Sequence, residues 1–368
     1  MDEMLLRILP SMLIILSICR SNNNNNGFKF KHKASNFECL TSHVCRNNSK
    51  GKQKNFVHIQ NVLHVSRCYS FPLRFHSYNM PEVYYKDPAG CQMISYDYNG
   101  FLVPPFPNIQ ENLDKLPDMP VRDDDVFLLG YMKSGCHWMW EITGMLVNGS
   151  AEYNPEHKCS AMMELMEQEK LDQIPSPRVL NNHLFLHHLP KEIFTKKSKM
   201  IFMTRNPRDI AASAYHHIFQ FKVMYQYDGD WNGFFELLLA GKLNYGNWFE
   251  YMLQWEKDIK DHPELPILIV KYEDLKKDPV SNVAKVAEFL GLPKNDQLFE
   301  DIADKCSFAK MKAVKPLLPE YFRTPGASLF RKGVVGDWKN WFTVSQEERF
   351  QVECDKFDKT STLFSTKY

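Results

Sequence analysis

The chain has 368 residues, 44% hydrophobic and 13% aromatic, with 45 Lys and Arg against 44 Asp and Glu. That apolar content is too high for a disordered chain, and no uninterrupted apolar run reaches the roughly 18 to 20 residues of a membrane span. The near-zero charge is a sum of unlike parts: the residues before Met80 carry 11 basic and three acidic groups, and the remaining 289 carry 34 basic and 41 acidic. The larger part is acidic, which argues against a generally basic nucleic-acid binder.

Residues 1–79 read as a leader. Met4 to Cys19 is mostly apolar but interrupted by Arg7 and Pro10, five asparagines follow at Asn22 to Asn26, and Glu38 is the only acid thereafter. The expectation is an unstructured extension, or a misassigned start with Met80 as the working initiator; a secretory signal and a mitochondrial presequence are the alternatives. Residues 80–368 read as one domain, long enough to bury a sizeable core. The nine cysteines have no CxxC or other metal-ligand spacing. Cys91, Cys136, Cys159, Cys306 and Cys354 suit isolated thiols of a reduced, cytoplasmic compartment, and no metal is expected.

Pro104, Pro105 and Pro107 mark an expected surface loop. Then come three continuously apolar runs, Val126 to Leu129, Met200 to Met203 and Ile267 to Val270, each ending against polar residues. Strands buried on both faces have this composition, so they predict the centre of a parallel sheet. Helical spacing relates Trp248, Met252, Trp255 and Ile259, and again Val283, Val286, Ala287 and Leu290, with Gly291 as a stop. The fold class is therefore α/β, a central parallel sheet flanked by helices. The stretch from Phe219 to Gly246, with Gly229, Gly233 and Gly241, is a candidate mobile segment.

Three segments carry chemistry. Gly130-Tyr131-Met132-Lys133-Ser134-Gly135-Cys136-His137-Trp138 follows the first apolar strand and opens a helix expected from His137 to Asn148. A glycine-bearing turn between strand and helix aims backbone N–H groups and a helix N-terminus at one spot, which is an anion site, and Lys133 adds a full charge. It is not a Walker A loop, GxxxxGK(S/T), because Lys133 precedes the second glycine. In Arg205-Asn206-Pro207-Arg208-Asp209, Asn206 can cap a helix with Pro207 in its first turn, leaving Arg205 at a strand's carboxyl end and Ser213 two turns in. Phe330-Arg331-Lys332-Gly333-Val334-Val335-Gly336 pairs two cations with two glycines. Each alone suits an ordinary turn with surface charges; together they point to a phosphate- or sulfate-bearing ligand.

With these motifs the body, from about Tyr98 to Phe350, resembles the cytosolic sulfotransferases, which transfer a sulfuryl group from 3′-phosphoadenosine 5′-phosphosulfate (PAPS) to hydroxyls or amines. The resemblance implies a nucleotide-kinase-like, P-loop type architecture. Tyr131 to Trp138 is similar to the family's YPKSGTTW loop, which holds the 5′-phosphosulfate. Arg205 and Ser213 correspond to ligands of the 3′-phosphate, and Phe330-Arg331-Lys332-Gly333 to the RKGxxGDW loop closing over it. Trp138, Tyr272 and Phe308 fall where the family contacts the adenine. Pro177 to Leu184 resembles PRxxKTHLP, which makes His183 the implied general base, with Lys133 stabilising the leaving oxygen in an in-line displacement without metal. Lys339, Thr343, Val344 and Glu348 match KxxxTVxxxE, a homodimer motif. The implied partner is a small, mostly apolar phenol, alcohol, sterol or amine, with no nucleic acid and no membrane. The chain departs from the pattern at Met132, Cys136, His137 and Asn181, the last standing where a lysine assists the sulfuryl group. A nucleotide or metabolite kinase and a non-catalytic nucleotide-binding protein are the alternatives.

Overall fold

Val126 and Leu128 face one side of the central sheet and Phe127 and Leu129 the other, and all four are buried. This two-sided burial is why the strands read as unbroken apolar runs rather than alternating ones. The computed structural model describes residues 80–314 and 330–367; the expected leader lies outside the described residues. Four parallel strands, β4 (Val126–Gly130), β5 (Val179–Asn181), β6 (Lys199–Thr204) and β7 (Ile267–Lys271), form a sheet in the order β5-β4-β6-β7. Leu128 lies opposite both Asn181 and Ile201, and Met203 opposite Val270. The edge position of β7 leaves Ile267, Leu268 and Ile269 only half-buried.

One face is covered by α1 (Cys136–Asn148), through Met139, Trp140, Ile142 and Met145, together with the helices Pro279–Leu290 and Asp296–Lys305. The other is covered by α2 (Pro207–Gln220), α3 (Trp231–Leu239), α4 (Trp248–Asp261) and the C-terminal α5 (Val344–Thr360). The expected caps form: Gly149 adopts φ 63° after α1, Gly291 φ 72° after Leu290, and Asn206 accepts from the Arg208 N–H at 2.9 Å. The described residues fall in one α/β unit, and no helix among them is long and apolar enough to cross a membrane.

Three expectations are corrected or extended. The proline stretch is not a plain surface loop, because Pro104 and Phe106 are buried and Phe106 joins the core. Phe219 to Gly246 contains α3, and Tyr225, Tyr227, Trp231, Phe234 and Phe235 pack it into the core rather than leaving it a free loop; Gly229 and Gly233 are buried against Asp87. A small antiparallel sheet, β1 (Glu82–Lys86), β2 (Gln92–Tyr98) and β3 (Phe101–Val103), precedes the parallel one. Its half-polar strands gave no continuous apolar run to read.

Candidate active site

Each parallel strand delivers one candidate residue just beyond its carboxyl end: Lys133 three residues past β4, His183 two past β5, Arg205 one past β6 and Tyr272 one past β7. This is the edge where open α/β sheets bind ligands. All four line one cavity of about 260 Å³. Gly135, Cys136, His137, Trp138, Ser213, Phe308, Phe330, Arg331, Lys332 and Gly333 line it as well. Of the residues expected to act in catalysis or to hold the nucleotide, Ser134 alone is not in the wall, and it is buried.

The loop from β4 to α1 is a true strand-turn-helix. Gly135 caps α1 in the left-handed region at φ 104°, where a Cβ would come within 2.8 Å of the Tyr272 ring. Lys133 is also left-handed, φ 66°, a costly conformation for a side-chain-bearing residue, and it lines the cavity. Burial, then the nearby Arg205 and Lys158 charges, lower its pKa to about 8. Arg205 donates to the Lys133 carbonyl at 3.2 Å and stacks its guanidinium 4.0 Å from the Tyr272 ring centre. Trp138 meets Tyr272 edge-on at 5.5 Å, and Phe308 meets Phe330 at 6.0 Å, so the cation cluster continues into an aromatic slot.

The Arg331-Lys332 turn is pinned from beneath. Both cations bond to the buried Asp337 carboxylate. Burial opposes the charge of Asp337, but these bonds and one from Asn340 hold its pKa well below the usual carboxylate range. Asp209, in the first turn of α2, accepts from the N–H groups of Gly336 at 2.7 Å and Trp338 at 3.1 Å, tying the turn to the Arg205 helix.

His183 is nearly buried, and its Nδ1 lies 2.7 Å from the Gly130 carbonyl. A carbonyl can only accept, so Nδ1 carries the proton and Nε2 is left as the basic nitrogen. Burial, then the Lys158 charge, lowers the His183 pKa to about 3. Arg178, at the head of the same segment, lies outside the cavity: it is 1% exposed and pairs with Asp125 through two bonds of 2.6 and 2.8 Å, which locks β5 against the start of β4. His187, His188 and His216 also lie off the cavity wall, whereas His217 lines it.

Beyond His183 the wall is apolar: Phe106, Met162, Leu165, Phe221, Met224 and Tyr225, closed by Tyr245, whose ring meets His183 at 5.2 Å. Sequence reasoning passed over these residues, and over Lys158 and Glu164, because no local pattern marks them. Glu164 Oε1 accepts from the His183 N–H at 3.0 Å and from Tyr245 at 3.3 Å, and burial raises its pKa to about 7.

Comparison with known proteins decides what this arrangement belongs to. Residues 123–362 match the sulfotransferase domain model. Zebrafish (Danio rerio) sulfotransferase 6B1 is 36% identical over 258 residues, 68% of this chain and 82% of that protein. Dog (Canis lupus familiaris) sulfotransferase 1B1 is 34% identical over 279 residues, covering 70% and 90%. The crystal structure of mouse sulfotransferase SULT7A1 complexed with PAP superposes with a TM-score of 0.59 at 32% identity, covering 73% of this chain and 96% of that one. The chain belongs to the sulfotransferase family. It is an enzyme of sulfuryl transfer, and the kinase and non-catalytic alternatives are not favoured.

Against that family's loop, the Cys136 thiol is turned toward the Leu129 carbonyl, 4.0 Å away, and burial raises its pKa to about 11, so it is a neutral wall group rather than a reactive thiolate. His137 packs edge-on against His157 at 4.9 Å and Phe330 at 5.5 Å. Both departures line the cavity, and neither adds a carboxylate to it.

Proposed function

We propose that residues 80–368 form the catalytic domain of a cytoplasmic sulfotransferase that moves the sulfuryl group of PAPS to the hydroxyl or amine of a small, mostly apolar acceptor, with His183 as general base and Lys133 on the leaving oxygen. The observation that carries the reading is the imidazole of His183, fixed as the Nδ1–H tautomer by Gly130 and kept neutral by burial, on the same cavity as Lys133. A neutral, oriented imidazole is the form a general base requires.

The residues present fit PAPS. Among the described residues Trp138 Nε1 and Arg205 Nε, on two residues of the cavity wall, and Ser134 Oγ, in the loop that carries Lys133, are buried with no hydrogen-bond partner, and such donors suit a ligand rich in anionic oxygens. Lys133, Ser134, Gly135, Cys136, His137 and Trp138 would hold the 5′-phosphosulfate end. Arg205, Ser213, Arg331, Lys332 and Gly333 would hold the 3′-phosphate, and Trp138, Tyr272, Phe308 and Phe330 the adenine. PAPS supplies the sulfuryl group and departs as adenosine 3′,5′-bisphosphate. His183 Nε2 takes the acceptor proton as the acceptor oxygen bonds to sulfur and the bond to the departing phosphate oxygen breaks. Lys133 neutralises the charge left on that oxygen, the kind of electrostatic support worth about 10²- to 10³-fold in rate.

The mouse relative is complexed with PAP, which supports the nucleotide assignment. The apolar wall around Tyr245 supports a slim, uncharged acceptor. We also propose a homodimer through Lys339, Thr343, Val344 and Glu348: Thr343 caps α5 through a box with Gln346, and Val344 beside it is 78% exposed. Five free cysteines among the described residues support a reducing compartment. The test is transfer of label from PAPS to a panel of alcohols, phenols, sterols and amines by the wild type and by His183→Ala. Loss of transfer with adenosine 3′,5′-bisphosphate affinity retained is expected; equal loss of both would overturn the assignment of His183.

A further inference from the structure

Lys158 sits in a short helical turn, Lys158–Ala161, that no sequence motif marks, and it is 9% exposed. It lines the same cavity as Lys133 and His183. Among the described residues its ammonium makes a single hydrogen bond, to Asn181 Oδ1 at 2.6 Å, and no ion pair. An ammonium has three donors, and a buried charge held only by a neutral amide is left uncompensated. Its field reaches the reacting groups: after burial it is the next cause lowering the pKa of His183, and after burial and Arg205 that of Lys133.

Asn181 holds that ammonium in a fixed direction. Its Nδ2 donates to the Lys158 carbonyl at 3.0 Å and to the Ala161 carbonyl at 2.9 Å, which leaves Oδ1 no orientation but toward Lys158 Nζ. The Asn181 backbone is itself fixed, by pairing with Leu128 and by accepting from the Met163 N–H at 2.9 Å. Glu164 makes no ion pair with Lys158: burial raises its pKa to about 7, with the Lys158 charge among the causes opposing that rise, and its Oε1 is taken by the His183 N–H and Tyr245 rather than by the ammonium.

We propose that Lys158 is a catalytic residue that contacts the sulfuryl oxygens of bound PAPS, and that Asn181 is its positioning residue. The positive charge that Asn181 itself lacks thus enters the reacting centre from the turn beside it. This rests on the reading of His183 and Lys133 as the ends of the transfer path. Lys158 forms and breaks no bond; it offsets negative charge on the transferring group while His183 receives the proton.

The test separates PAPS, which carries the sulfuryl group, from adenosine 3′,5′-bisphosphate, which does not. Lys158→Met should weaken PAPS binding about tenfold, leave bisphosphate binding within about twofold, and lower kcat at saturating PAPS about 10²-fold. Asn181→Ala, which keeps the cation but frees it, should lower kcat about tenfold with the same selectivity, and it tests the proposal if Lys158→Met does not fold. Lys158→Arg should recover part of the PAPS preference. Equal weakening of both nucleotides, or wild-type behaviour in both Lys158→Met and Asn181→Ala, would overturn the proposal. If the wild type transferred no sulfate to any acceptor but its preference for PAPS still depended on Lys158, the acceptor-side reading would fail and this one would stand.

Discussion

The state of His183 can be tested by pH. Its pKa is lowered to about 3, by burial first and the Lys158 charge second; the sign of a lowered histidine pKa is that the neutral base persists as pH falls through the ordinary value of 6.5. At pH 5 a group of pKa 3 is about 99% neutral, whereas one of pKa 6.5 would be about 3% neutral against about 76% at pH 7, a fall of about 25-fold in active base. Even if the negative charge of bound nucleotide raised the value by about one unit, about 90% would remain neutral at pH 5. The assay is kcat/KM for an aliphatic alcohol, which does not ionise in this range, at saturating PAPS from pH 5 to 8. Glu164 has its pKa raised to about 7 by burial and accepts from the His183 N–H, so it is the group expected to shape any limb in that window. The profile should therefore lose its acid limb in Glu164→Gln. In nucleotide-free protein, imidazole NMR should show His183 as the Nδ1–H tautomer with no titration above about pH 4. An acid limb at 6 to 7 that survives in Glu164→Gln, with imidazole signals moving over the same range, would refute the reasoning.

Lys133, its pKa lowered to about 8 by burial and then by Arg205 and Lys158, holds its charge below that value and loses it above. Affinity for adenosine 3′,5′-bisphosphate, whose phosphates are fully ionised from pH 7 upward, should fall about tenfold between pH 7 and 9 by calorimetry, because the charged fraction drops by about that factor. Gly333 is at φ 65°, and a Cβ there would enter the Phe308 ring; Gly333→Ala should weaken the same ligand about tenfold or more, through backbone strain of about 1–2 kcal/mol and a displaced ring. Arg178→Met would leave Asp125 as a buried unpaired carboxylate, costing about 3–5 kcal/mol. Thermal unfolding should shift accordingly, while nucleotide affinity of the protein still folded at low temperature should stay near wild type.

What the sequence made legible follows from local physics. Three of the four parallel strands were readable because both faces are buried, and α1 and α2 because their termini carry Gly135, Gly149, Asn206 and Pro207. The strand β5 was not, since Val179–Asn181 is too short to show a period. The same rule divides the site. Lys133, Arg205 and Tyr272 stand at strand ends whose strands were already read, but His183 follows the unread β5 and was reached only through the family motif. Lys158 and Glu164 are brought to Asn181 and His183 by tertiary packing across about twenty residues of turns, one short helix and the short β5, which no periodicity encodes.

The cations of the cavity are unequal, and the structure ranks them. Arg331 and Lys332 share the Asp337 carboxylate, so that turn is shaped before any ligand arrives and offers a smaller free charge than its two side chains suggest. Lys133, Arg205 and Lys158 have no carboxylate partner among the described residues; Arg205 bonds to the Lys133 carbonyl and stacks on Tyr272, and Lys158 bonds to the Asn181 amide. All three line the cavity with His183, and the Lys158 and Lys133 charges both act on that imidazole. Charge left unpaired in this way has its counter-ion in the ligand, and the net-acidic body surrounding it keeps that attraction confined to one cleft.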